Sequence, residues 1–280
     1  MKNNRFVRII KDTLRIFSEN EMSVYSGYAT LYILMAMIPL LMLVIAIINV
    51  MPWFSADDFS AWLSQFLKDL PSVQSMLDGV IRNLNAQSGG LIASVSAITT
   101  LWSASNGVSA IQTGLEQISG QPKSGLKGKP KALLFTILFI LLVPALLVSQ
   151  LLKQPLIDLI DSLMAALPLE TLPALLKKIL ESSGPVALVA MIALFVLCYA
   201  WLPAGKKPDF KAQLPGALFT SIATAVFTLA FGFFMGNFWK ASSIYGSLAA
   251  IFLVAMWLKF VITILFYGAS LNKALENNKN

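Results

Sequence analysis

Cys198-Tyr199-Ala200-Trp201-Leu202-Pro203 closes one apolar run, and Lys206-Lys207-Pro208-Asp209-Phe210 forms the short basic loop behind it. Pro215-Gly216-Ala217 opens a second run, and Ser242-Ser243-Ile244-Tyr245-Gly246-Ser247-Leu248 is the polar turn that ends it. A third run carries Trp257-Leu258-Lys259 and stops at Gly268-Ala269-Ser270-Leu271-Asn272. The runs at 185–203, 214–236 and 246–271 are each near the roughly 20 residues that a helix needs to cross a hydrocarbon core. Three such runs with only short polar links have no room for a water-facing side. They read as helices whose solvent is a bilayer.

Composition carries that reading to the whole chain. It is 57% hydrophobic and 12% charged, against about 25% charged residues in an ordinary globular domain. A single cysteine excludes an internal disulfide and a cysteine-based metal cluster. Cys198, in an apolar run, reads as a small buried hydrophobe. Histidine is absent, which removes the commonest metal ligand and the usual proton carrier at neutral pH. No cofactor and no metal are expected. The formal charge of +7 would suggest nucleic acid in a soluble protein. Here the cations sit in loops beside apolar runs, and no basic run is interleaved with aromatics as a nucleic-acid groove needs.

Upstream, three further spans are read at 24–50, 90–111 and 132–152. Pro39 and Pro144 fall inside the first and third, where a proline removes a backbone hydrogen bond and kinks the helix. The span at 90–111 is unusual, because Ser94, Ser96, Thr99, Thr100, Ser103, Ser105, Asn106 and Ser109 crowd it. So many polar groups disfavour a lipid-facing place and leave two readings, close packing or the lining of a polar cavity. Between spans, Phe59, Trp62, Leu63, Phe66, Leu67 and Leu70 recur at helical spacing, and the pattern restarts after Pro71 with Val73, Met76, Leu77, Val80, Ile81 and Leu84. Residues 153–184 repeat this style around Pro168 and Pro173. Each stretch reads as an amphipathic helical pair capping the bundle outside the membrane.

Residues 1–23 form a cytoplasmic amphipathic segment. Phe6, Ile10, Leu14 and Phe17 recur at helical spacing, with Arg5, Arg8, Lys11 and Arg15 mostly on other faces. Two readings stand: a helix on the membrane interface with its cations at anionic head groups, or a charged topogenic tail. The apolar run that follows is too long for a signal-peptide core of about 7–15 residues, so no cleavage is expected. The N-terminus, the 112–131 and 204–213 loops and the tail at 273–280 hold 14 Lys/Arg, and the opposite segments hold six. By the positive-inside rule, both termini are cytoplasmic.

Four places attract attention for function. Lys259 stands 13 residues past Gly246, roughly 20 Å along a helix, and no Asp or Glu falls within the six spans to pair with it. A cation at that depth costs about 2.5–3.5 kcal/mol by insertion scales, which is met by snorkelling or by a water- or ligand-filled cavity. Ser103 and Asn106 lie on the polar span. Asn237 and Tyr245 lie at the turn before the last span, where Ser242 or Ser243 suits a helix cap. Gly232 and Gly236, one turn apart, suit close helix packing. No catalytic set is recognisable: without histidine, and with acids scattered through loops, neither acid–base nor metal-assisted RNA hydrolysis has its groups. An enzyme is not expected.

The last third resembles, in order and spacing, the YihY/BrkB family of bacterial inner-membrane proteins, once labelled ribonuclease BN. The matching residues are Tyr32, Leu34 and Pro39, then Trp102 within Leu101-Trp102-Ser103-Ala104-Ser105. Pro208, Asp209, Pro215, Gly216, Gly246, Gly268 and Asn272 complete the structural motif. Ala36, Glu116, Ser119 and Ser270 depart from the family's Ser, Asn, Tyr and Glu, so an acidic role at 270 does not carry over. The resemblance implies six spans and an inner-membrane location. The expected protein is therefore all-α and polytopic, with six transmembrane helices and two extracytoplasmic amphipathic pairs in a membrane domain at 24–272. Its partners are membrane lipids, with a homo-oligomer left open. The leading function is a transporter or flippase-like protein for an amphipathic or anionic substrate, a lipid among the candidates. The competing one is a non-transporting scaffold or envelope-integrity protein.

Overall fold

The computed structural model describes residues 2–48, 90–121, 125–138, 183–203, 209–238 and 247–278, with scattered positions between 57 and 82. The described residues are all helical, with no strand among them. They comprise α1 (Lys2–Glu19), α2 (Met22–Ile48), α3 (Gly90–Ser119), a 3-10 turn (Gly125–Gly128), α4 (Ser183–Trp201), α5 (Phe210–Phe238) and α6 (Ser247–Asn277). Residues 129–138 are also helical. The third span beyond 138 with Pro144, the pair at 153–184 apart from its last two residues, Pro208 and Tyr245 lie outside the described residues.

Each expected span that can be compared falls on a helix, with ends within a few residues for α2, α4 and α5. Two helices, over Phe210–Met235 and Ile251–Asn277, are long and apolar enough to cross a membrane among the described residues, and Leu188–Trp201 is a shorter apolar helix. On α5, Leu214, Leu218, Ile222, Val226, Leu229 and Phe233 are all exposed along one side. An apolar ridge of that length suits lipid, and in water it would be an aggregation surface. α3 outruns its expected end at 111 and continues to Ser119. There it closes in a Schellman motif: Gly120 at φ 72° lets the Gln121 N–H reach the Glu116 carbonyl at 2.9 Å and the Gly120 N–H reach Gln117 at 3.1 Å.

α1 is docked, not merely a tail. Ile16 is buried, Phe17 stacks on Tyr267 of α6 with ring centroids 4.0 Å apart, and Asn278 donates to Asp12 at 3.1 Å. Val7, Ile10 and Leu14 stay exposed beside Arg8, Lys11 and Arg15. Between the first two spans, the described positions near 60 and 80 are helical. The Ser60 hydroxyl bonds the Asp78 carboxylate, which brings these two positions together.

The core forms where α2, α3 and α6 converge. Met22, Leu115 and Phe266 are fully buried, and a Cβ on Gly114 would stand 2.6 Å from the Phe266 ring. Gly107 does the same between α3 and α2, where a Cβ would meet Ile33 at 2.7 Å. Close approach through small residues is how helices associate where lipid removes the hydrophobic drive.

Candidate functional site: a cavity between α2 and α3

The α4–α5–α6 side of the molecule is tied together by side-chain hydrogen bonds. Asp209 caps α5, its carboxylate accepting the Ala212 N–H at 3.1 Å. Pro215 lies inside α5 one turn later and removes the N–H that would reach the Lys211 carbonyl, and Asn272 of α6 binds the backbone on either side of it. Its Oδ1 accepts the Gly216 N–H at 2.7 Å, while its Nδ2 donates to the Gln213 carbonyl at 3.2 Å and to Gln213 Oε1 at 2.9 Å. Tyr199 of α4 joins the cluster by donating to the Leu265 carbonyl at 2.8 Å and sharing a 2.7 Å bond with Thr220. Lys131 closes the end of α4, donating to the carbonyls of Trp201 and Pro203 at 3.3 Å each, where a cation suits the helix dipole. This explains the Pro215-Gly216, Gly268 and Asn272 motif as architecture.

The other side is open. A cavity of about 640 Å³ lies between the start of α2 and the second half of α3. Glu21, Val24, Tyr25 and Tyr28 line it from α2 and its approach, and Asn106, Ser109, Ala110, Gln112 and Thr113 line it from α3. Gly125 and Lys129 complete it from the segment that follows. Of the polar residues that crowd the expected span, Asn106 and Ser109 line the cavity, and Thr100 is fully buried instead.

Local structure holds these groups in place. Glu21 has φ 55°, a left-handed conformation that non-glycine residues seldom adopt. It fills the joint between α1 and α2, and its carbonyl accepts the Val24 N–H at 2.9 Å. Tyr25 is fixed by its hydroxyl, which donates to Gln117 Oε1 at 2.9 Å. Gln112 is buried and donates to the Leu202 carbonyl at 3.0 Å. Neither Glu21 nor Lys129 has an ion-pair partner among the described residues, and the Asn106 amide has no hydrogen-bond partner among them.

The same two helix faces continue past the cavity as apolar stripes. On α2, Leu31 and Met35 follow Val24 and Tyr28 at helical spacing, and all four are exposed. On α3, Val95, Ile98 and Trp102 precede Asn106 on one face, Trp102 being 72% exposed. Polar groups at one end and an exposed apolar strip at the other make an amphipathic surface.

The residues anticipated from sequence are not gathered in one place. Asn106 lines the cavity. Ser103, half-buried one turn away on α3, does not. Lys259 is exposed on α6 beside Phe260 and is not in the lining, and its carbonyl accepts the Thr263 hydroxyl at 2.7 Å. Asn237 lies in α5 with its side chain outside the described atoms, and Tyr245 is outside the described residues altogether. Gly232 is not at a helix crossing, for a Cβ there meets nothing within 4 Å. The tight approach is at Gly216 and Gly268 instead. Glu116 adds an acid that the expected span boundary left out, fully buried on α3. Among the described residues, no three Cys, Asp or Glu side chains gather as a metal site.

Residues 13–280 match the protein family described as virulence factor BrkB. The chain is 25% identical over 285 residues, 96% of each chain, to the Bacillus subtilis (strain 168) protein named "Putative ribonuclease-like protein YfkH". It is 29% identical over 102 residues to a Chromobacterium violaceum protein named "UPF0761 membrane protein", covering 36% of this chain and 24% of that one. No solved structure matches.

Proposed function

Since the chain belongs to the BrkB family of membrane proteins, we propose that it is a multi-pass inner-membrane protein that moves an amphipathic lipid between leaflets. The carrying observation is the α2–α3 surface, a cavity of about 640 Å³ that mixes polar and apolar lining and continues into exposed apolar stripes on the same helix faces. A lipid entering sideways would keep its head among polar groups and its chains against apolar ones throughout. In this reading the chain crosses the membrane six times, and the cavity, with both termini cytoplasmic by the positive-inside bias, opens at the cytoplasmic leaflet. No nucleotide-binding loop of the G-x-x-x-x-G-K-[ST] type occurs in the sequence, so movement would be passive or ion-coupled.

The ribonuclease wording in the Bacillus subtilis relative's name is not carried over to this chain. Its lack of histidine leaves RNA cleavage without the usual general base. The competing reading is a non-transporting scaffold, and the hydrogen-bonded α4–α5–α6 packing is what favours it. Reconstitution with fluorescent phospholipid separates the two. Lipid in the inner leaflet should become accessible to an external quencher faster in proteoliposomes than in protein-free vesicles. Equal rates, with and without ion gradients, would favour the scaffold.

A further inference from the structure

The cavity carries charges of both signs. Glu21 and Lys129 both line it, and neither is neutralised by an ion pair among the described residues. An anionic ligand alone would leave Glu21 repelling it, and a cationic ligand alone would leave Lys129 doing so. A ligand with both charges satisfies the two together. Aromatic residues cluster near the acid: Tyr25 and Tyr28 line the cavity with it, and Tyr28 packs on Tyr32 with ring centroids 4.8 Å apart. The faces of such rings attract ammonium groups within about 6 Å. Lys129 is a compact cation suited to phosphate, and the unpartnered Asn106 amide offers further donors.

We infer that this cavity receives the head group of a zwitterionic, amine-bearing phospholipid, its ammonium at Glu21, Tyr25 and Tyr28 and its phosphate at Lys129 and Asn106. The acyl chains then lie along Leu31 and Met35 on α2 and Ile98 and Trp102 on α3. Phosphate alone is a poor fit, because nothing in it answers the carboxylate or the rings. The assignment rests on the lipid-moving reading above for its purpose, but not for the chemistry of the site.

The test is native mass spectrometry of the full chain, equilibrated with equal amounts of phosphatidylethanolamine and phosphatidylglycerol. Wild type should retain the amine lipid over the glycerol lipid by roughly threefold or more, the scale of one exposed ammonium–ring contact. Glu21→Gln and Tyr28→Leu should each bring that ratio close to one, with total bound lipid little changed. Lys129→Gln should lower retention of both lipids. Glu19→Gln, on α1 outside the cavity, should change neither. Equal retention by wild type, a preference for the glycerol lipid, or a preference untouched by both Glu21→Gln and Tyr28→Leu would overturn the inference. Translocation measured on the same two lipids separates the claims. Equal movement without selective retention sinks the head-group assignment alone, and selective retention without movement sinks the transport reading alone.

Discussion

The carbonyl oxygen of Gly268 on α6 occupies the space where a side chain on Gly216 of α5 would begin. The Gly216 carbonyl in turn stands 2.8 Å from the position of a Cβ on Gly268. Two backbones meet with nothing between them, and the hydrogen bonds of Asn272 and Tyr199 are built around that contact.

Gly216→Ala and Gly268→Ala should therefore each destabilise the protein by about 1–3 kcal/mol, the usual range for overpacking. At Gly216 the new methyl would strike the Gly268 carbonyl oxygen, so the upper end applies there; at Gly268 it would strike the Thr220 and Tyr199 hydroxyls first. Gly232→Ala should be neutral, since open space surrounds that position. Equilibrium unfolding in mixed detergent micelles gives all three values. A destabilised Gly232→Ala beside tolerated changes at 216 and 268 would refute the assignment of the crossing.

Asn272→Leu keeps the volume but strands the Gly216 N–H and the Gln213 carbonyl beside the gap left by Pro215. Leaving buried backbone groups unsatisfied costs about 1–3 kcal/mol. Asn272→Asp retains the acceptor for Gly216 and, when protonated, offers one O–H donor where the amide makes two donations to Gln213, so in that form it should fall between wild type and Asn272→Leu. The same unfolding titration ranks the three.

Ser270 is fully buried, and its hydroxyl has no hydrogen-bond partner among the described residues. Removing an unsatisfied buried hydroxyl takes away a desolvation penalty. Ser270→Ala should leave stability unchanged or raise it by about 1 kcal/mol. A loss of more than that on unfolding would show that the hydroxyl serves a partner in the working protein.

Lys259 is exposed on α6 and stands outside the cavity lining. Its depth in the apolar run then calls for snorkelling, and Lys259→Met should raise thermal stability while co-purified lipid stays the same. Loss of a defined lipid from Lys259→Met, seen by mass spectrometry of the extracted protein, would return Lys259 to the binding path.

The helices were legible where an apolar run is long, because a run near 20 residues is roughly the length that a bilayer asks of a crossing helix. Run ends at 24, 185 and 214 fall within four residues of the starts of α2, α4 and α5 for that reason. α3 was cut short because Gln112, Thr113, Glu116 and Gln117 lower its hydropathy. Those residues remain helical by packing on neighbouring elements, as Gln112 does on Leu202. The glycine crossing was misplaced because spacing along one helix cannot tell which face meets a neighbour. Gly216 and Gly268 are on different helices, and only the fold pairs them. In the cavity, Asn106 was visible through the polar face of its span. Glu21, Tyr25 and Tyr28 were not, since a junction residue and two tyrosines at a membrane boundary look like ordinary interface anchors. Their meeting with Lys129, more than 100 positions on, is tertiary.

Photo-crosslinking from the acyl chain of a diazirine-bearing phospholipid, followed by peptide mapping, tests the central claim most directly. Adducts should concentrate on Leu31, Met35, Ile98 and Trp102, and Asn106→Leu should reduce them while labelling of Leu229 and Phe233 on α5 stays constant. Adducts spread evenly over every exposed apolar face, unchanged by Asn106→Leu, would mean that the α2–α3 surface meets only bulk lipid, and would contradict the account.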